Sequence, residues 1–286
     1  MTATDWQPSE LQRGRDAYRR ARSRRAALIS LAATLVLGLV VVLVVGRSSG
    51  WDRTKSNFFD FRIGLQGLPE LLRALWINLQ IMVIAEIFIL VFAALIAVLR
   101  TLRGPVWVPL RAIAVVYVDV FRGLPVLIVL FLVGFGVPSL QLQGAPTSPF
   151  VLCTIALILT YTAYVAEVFR AGIESVHPSQ RAAARSLGLS HAQTMRFVVF
   201  PQAVRRVLPP LLNDFVSLQK DTSLVSVVGV IDMTLTATNQ VSQDFKFVHY
   251  VMAGLIFVAL TVPLTRFTDW IARRQGWVGA VGGGVV

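Results

Sequence analysis

Six apolar runs long enough to cross a bilayer constrain this chain more than any other feature. The hydrocarbon layer is about 30 Å thick and a helix rises about 1.5 Å per residue, so one crossing takes about 20 mostly apolar residues. Runs of that kind lie near residues 26–46, 74–99, 112–136, 149–170, 208–231 and 247–268. The first, AALISLAATLVLGLVVVLVV, follows the basic stretch RGRDAYRRARSRR. Its core is too long for a signal peptide and no small-x-small site follows it, so it is expected to remain as an uncleaved span. The fifth run carries Asn213, Asp214, Gln219, Lys220 and Asp221. It can cross only if those groups face other helices or a watery path. The fold class is therefore all-α integral membrane, with about six spans.

Charge sets the orientation. The net charge of +12 would suit nucleic acid if it formed a patch, but the arginines gather at the ends of the apolar runs, as membrane topology requires. With the N-terminus inside, the inner segments hold 19 Lys and Arg and the outer segments hold 6. Both termini are thus expected in the cytoplasm. The organisation that follows is a basic cytoplasmic segment at 1–25, an accessory span at 26–46 and an extracytoplasmic linker at 47–73. A core at 74–270 then carries a cytoplasmic hairpin at 176–201, and a cytoplasmic tail occupies 271–286. The single Cys153 and the scattered His177, His191 and His249 offer neither a disulfide nor metal-ligand spacing.

The longest inner loop has encoded structure. Residues 180–187 are alanine-rich and favour helix. Gly188 supplies a left-handed stop, with Leu189 available for the accompanying apolar contact. Ser190 and Gln193 have the spacing of a capping box that opens a second helix. Ala192, Met195 and Val199 fall on one face of it, and Pro201 is expected to end or kink it. Long loops of this kind usually have a role, and a docking element is the role expected here.

The residues of this hairpin resemble the coupling motif of bacterial ABC importer permeases. That motif reads Glu-Ala-Ala, three residues, Gly, nine residues, Ile, one residue, Leu-Pro. This chain has Ala182, Ala183 and Ala184, then Gly188, Val198, Phe200 and Pro201 at the matching spacing. The family glutamate is Ala182 here. YVDVFRGLPVL (117–127), AYVAEVFRAGI (163–173), RSLGLS (185–190) and LQKDTSLVSVVGV (218–230) are similar to the polar amino-acid uptake branch. The resemblance implies a five-helix core of the type I importer kind, preceded here by one accessory span. It implies that Ala182, Ala183, Ala184, Arg185, Gly188, Leu189, Ser190, Met195 and Pro201 meet an ATP-hydrolysing subunit. ATP and magnesium would be bound there, and this chain has no G-x-x-x-x-G-K-[ST] loop of its own. The implied partners are two copies of that ATPase, a second permease chain (a sister chain favoured over a second copy) and an extracytoplasmic amino-acid-binding protein. The implied place is the bacterial cytoplasmic membrane. The resemblance leans towards glutamate or glutamine as substrate.

Polar residues within the runs mark a path or a gate. Gly123 and Pro125 in FRGLP predict a break in the third run. Asp119 with Arg122, and Glu167 with Arg170, are three residues apart and could pair on one helix face. Lys220, Asp221, Thr222 and Ser223 are the sharpest cluster. Adjacent Lys220 and Asp221 must find separate partners, or the backbone must change its winding there. A substrate path and a helix-packing network both fit this cluster. Glu86 lies outside the matched motifs, and Lys220 is one candidate partner for it. The alternative function is a self-contained secondary transporter or channel. Such a protein would need no long inner loop and could show inverted repeats, which the sequence does not display. A membrane enzyme would need clustered acid, base or metal ligands, and the sequence scatters these.

Overall fold

The computed structural model describes residues 9–102 and 104–274. Residues 1–8 and 275–286, the ends of the two expected cytoplasmic segments, lie outside the described residues. Among the described residues the chain is helical without strands, and it divides into two compact units, 1–57 and 58–286.

The first unit holds α1 (Glu10–Gly46) and all but the last residue of α2 (Trp51–Phe58). Ser9 caps α1 by accepting from the Gln12 amide. The basic stretch and the first apolar run therefore form one uninterrupted helix. The apolar side chains of α1 from Leu28 to Val45 are exposed, as suits a helix whose solvent is lipid.

The second unit begins with α3 (Phe61–Thr101). The sequence reading placed a linker up to residue 73, and the structure corrects this. Ile63, Leu68, Leu71, Ala74 and Leu75 form an apolar stripe that packs on Met233, Val248 and Met252, so the helix extends back over the polar segment. Then come α4 (Val108–Gly123), α5 (Val126–Ser139), α6 (Pro149–Glu174), α7 (Pro178–Ser186), α8 (His191–Thr194), α9 (Phe200–Asp221), α10 (Met233–Asp244) and α11 (Val248–Arg274). Four helical stretches can cross a membrane alone, and six can if each bent pair counts once.

α6 is the central post. Ala85, Ala93 and Ala97 of α3 and Ala156, Ala163 and Ala166 of α6 are all buried, and small residues of this kind let helix backbones approach closely. Around them Ile81, Ile89, Val118, Leu130, Leu157 and Leu218 build the main core.

The two bent pairs follow from local chemistry. Leu124 and Pro125 are extended between α4 and α5, because a residue before proline is driven out of the helical region. The two helices meet at a 107° bend, so the third apolar run is not one straight span. The fifth run tightens to a 3-10 helix at Thr222–Val228 and stops at Gly229, whose φ is +92°. It then bends by 50° into α10. Asp232 caps α10, accepting from the Leu235 amide at 2.9 Å.

Candidate docking hairpin and polar path

The hairpin is built from backbone hydrogen bonds that its own residues dictate. His177 opens α7, its ring Nδ1 3.2 Å from the Ser179 amide, and Pro178 follows where no N–H is needed. α7 ends as Gly188 and Leu189 donate their amides to the carbonyls of Arg185 (2.9 Å) and Ala184 (3.2 Å). With Gly188 at φ +82°, this is the Schellman closure. The capping box is present as well: the Gln193 amide donates to Ser190 Oγ at 3.3 Å, and the Ser190 amide to Gln193 Oε1 at 2.9 Å.

Pro201 does not end the second helix, which corrects one of the two outcomes expected of it. A turn of π-helix at Met195–Val199 precedes it, and Pro201 sits in the first turn of α9. In the wider turn the Phe200 amide donates to the Met195 carbonyl. The missing proline donor thus falls just after the π turn, and the winding runs unbroken from His191 to Asp221. The same turn alters the expected face: Val199 is buried and Met195 half-buried, but Ala192 is exposed.

The hairpin is tied to the bundle by arginine. Arg181 donates to the Ile173 carbonyl and Arg206 to the Ser175 carbonyl, at the C-terminal end of α6, where cations are favoured. Gly172 lets α9 come close, for a Cβ there would sit 2.0 Å from Val207.

Of the residues expected to dock, Ala182, Ala183, Arg185, Gly188, Ser190 and Pro201 are exposed. Leu189 and Met195 are half-buried, and Ala184 is buried. Three apolar residues outside the expected docking set stand out further: Leu187 is 83% exposed, Phe197 61% and Phe200, a motif position, 64%. Their signal was present, since large apolar groups in a polar inner loop require cover. Arg196 lies 5.6 Å over the Phe197 ring and adds a cation beside it.

Asp119 and Arg122 do not pair, a further correction. Asp119 is exposed, and Arg122 instead approaches Glu167 of α6 at 3.8 Å. Glu167 also accepts from Arg100 of α3 (2.8 Å) and from Arg170 (2.5 Å), as the second expected pair required. One carboxylate therefore serves three arginines from three helices. Gly123 and Pro125 are exposed at the α4–α5 break, beside Arg122. The Tyr164 hydroxyl donates to the Arg122 carbonyl at 3.4 Å.

At the fifth run Lys220 and Asp221 do find separate surroundings. The Tyr161 hydroxyl donates to Asp221 at 2.8 Å, whereas the Lys220 side chain is exposed. Thr222, buried, returns its hydroxyl to the Gln219 carbonyl, and Ser223 is half-buried where the 3-10 turn begins. The charged neighbour of Glu86 among the described residues is Asp214, not Lys220.

Asn78 and Asp232 were missed by the sequence reading. Asn78, buried on α3, donates to the Thr222 carbonyl (3.1 Å) and to Asp232 (2.9 Å), and accepts from the Met233 amide (3.1 Å). This one side chain holds both ends of the break between α9 and α10. Partners about 150 residues apart in the chain leave no local pattern to read.

Residues 106–277 match the family described as binding-protein-dependent transport system inner membrane component. The chain is 35% identical over 217 residues to a probable amino-acid ABC transporter permease protein, PatM, of Vibrio harveyi, covering 76% of this chain and 96% of that protein. It is 32% identical to the arginine transport system permease protein ArtQ of Bacillus subtilis, over 75% of this chain and 96% of the relative. Among solved structures, an amino acid ABC transporter crystallised with histidines superposes with a TM-score of 0.70 at 32% identity, over 75% of this chain and 98% of that one.

Proposed function

The chain belongs to the family of binding-protein-dependent transport system inner membrane components, and from that premise we propose how its hairpin and its broken spans act together. It is a permease subunit of an amino-acid ABC importer. Membership implies an ATPase and a substrate-binding protein as partners. The proposed assembly has two ATPase copies, each bound to one permease hairpin, with ATP and magnesium held by the ATPase. A second permease chain completes the pore, and the binding protein delivers the amino acid from outside. Both termini lie in the cytoplasm.

The observation that carries this reading is the continuity of the helix that starts at His191. A push on Leu187, Phe197 and Phe200 enters a helix whose winding continues to Asp221, with Pro209 and Pro210 each removing one backbone donor along the way. The Schellman closure and capping box fix α7 on α8, and Arg181 and Arg206 fix both to α6. From Phe197 to Asp221 the winding spans about 36 Å at 1.5 Å per residue. A displacement at the dock therefore arrives at Asp221 and the 3-10 turn. Asn78 pins that turn to α3, so α9 pivots about this link between two states that nucleotide and substrate favour differently. Tyr161, Asp221 and Thr222 line the moving junction, while Glu167 and its arginines mark a gate at the α4–α5 break.

Uptake into proteoliposomes tests the proposal. The chain, with its partner subunits, is expected to accumulate a radiolabelled amino acid only when ATP is on the hairpin side and binding protein on the other. Uptake by the chain without an ATPase subunit would contradict it and favour a secondary transporter.

A further inference from the structure

Residues 13–25 hold seven arginines in thirteen positions, and the importer reading gives them no work. The segment 10–25 contains seven arginines against Glu10 and Asp16. It is the leading part of α1, in one helix with the apolar run that begins at Ala26. Arg15, Arg19, Arg22, Arg24 and Arg25 are exposed. At 3.6 residues per turn, Arg15, Arg19 and Arg22 lie on one side of the helix, Arg24 on the opposite side and Arg25 between them. A docking helix for a protein groove carries its contacts on one stripe. Charges all round suit surroundings that are negative in every direction.

We propose that this segment is a collar that recognises anionic phospholipid headgroups where α1 leaves the bilayer. The proposal rests on α1 from Ala26 onwards being a membrane span. The headgroup layer is about 5–7 Å thick on each side of the hydrocarbon. With a rise of about 1.5 Å per residue, Arg22, Arg24 and Arg25 fall within that layer. Arg19 stands about 10 Å from the apolar border, near the screening length of physiological salt. Guanidinium groups bind phosphate oxygens through paired N–H donors, so each arginine can hold a lipid phosphate. Juxtamembrane arginines each favour an anionic surface by roughly fivefold. A role confined to membrane insertion predicts no lipid preference once the protein is folded.

The test uses the assembled transporter in nanodiscs, with a fluorescent donor on a Ser23→Cys variant. Ser23 is exposed and the native Cys153 is buried, so the label goes to one place. Acceptor dye is carried either by phosphatidylglycerol or by phosphatidylcholine, as a minor lipid in a phosphatidylcholine disc. Energy transfer to the anionic acceptor is expected to exceed that to the zwitterionic one by about threefold at 0.1 M salt. The preference should vanish in 1 M salt, where the screening length falls to about 3 Å. It should vanish in Arg22→Gln/Arg24→Gln/Arg25→Gln and persist in the corresponding Lys variant. Equal transfer to both acceptors in the parent at 0.1 M would overturn the proposal, as would a preference that survives the Gln changes. Displacement of the lipid acceptor by a soluble oligonucleotide would overturn it too, by showing a general polyanion site. If the Gln variant does not assemble, the parent and the Lys variant across the salt series still decide.

Discussion

Gly172→Ala examines the joint through which the hairpin acts. The added Cβ would lie 2.0 Å from Val207 Cγ2 and 3.4 Å from the Ala203 carbonyl oxygen. Carbon atoms in contact sit about 3.5–4.0 Å apart, so a gap of about 1.5 Å must open between α6 and α9. Val207 is buried and β-branched, and its χ1 is confined on a helix, so side-chain rotation does not relieve the clash. Overpacking of this kind costs about 1–3 kcal/mol. Val207→Ala alone costs about 1–3 kcal/mol through lost burial and a small cavity. The pair should be less destabilised than the two single costs combined, because the truncated side chain makes room for the new methyl. Cys153 supplies the assay: it is buried in α6, so a thiol-reactive dye reports the opening of the bundle on heating in detergent. Gly172→Ala is expected to melt several degrees below the parent, and the double variant to melt less far below it than the two single shifts combined. If Gly172→Ala melts with the parent, or its cost is the same in the Val207→Ala background, the close approach of α6 and α9 is not what the glycine provides.

Three other substitutions separate coupling from folding. Gly188→Val places a β-branched residue at φ +82°, a strain of about 1–3 kcal/mol. It should impair ATP-driven uptake while membrane insertion is unchanged, with fractionation and transport as the two readouts. Glu167→Gln removes the charge shared by Arg100, Arg122 and Arg170, and should cost roughly 1.5–3 kcal/mol for the charge-assisted bonds, read in the same thiol melt. Asn78→Ala leaves Asp232 and the Thr222 carbonyl short of a buried donor. It should cost about 1–3 kcal/mol and speed hydrogen exchange at residues 222–235 before it does so elsewhere.

What could be read from the sequence was what local chemistry determines. Gly188 and the Ser190–Gln193 pair act on backbone groups within a few residues, so the hairpin was legible in detail. FRGLP was legible as a break because proline acts on its immediate neighbour. The angle of that break depends on how α4 and α5 pack against α6, and the sequence alone did not carry it. Arg122 illustrates the limit. Asp119 lay at a pairing distance along the helix, but Glu167, brought in by α6, took the arginine. The same limit hid the Asn78–Asp232 link and the Arg181 and Arg206 contacts to the end of α6, all of which are tertiary. The start of α3 was misplaced because polar residues between Phe61 and Arg73 masked an apolar stripe that shows only against α10 and α11. The π turn before Pro201 is a response to a missing donor that propensity does not anticipate.

The central claim is that the exposed face of the hairpin is where an ATPase binds and pushes. The most direct measurement is affinity purification of the tagged chain from native membranes in mild detergent, with and without Leu187→Glu/Phe197→Glu. These positions are exposed, so the substitutions should leave the bundle folded, as the Cys153 melt will verify. The account predicts that an ATPase with a phosphate-binding loop accompanies the parent and is lost from the variant. An ATPase retained equally by both, or a stable parent complex that contains none, would contradict it.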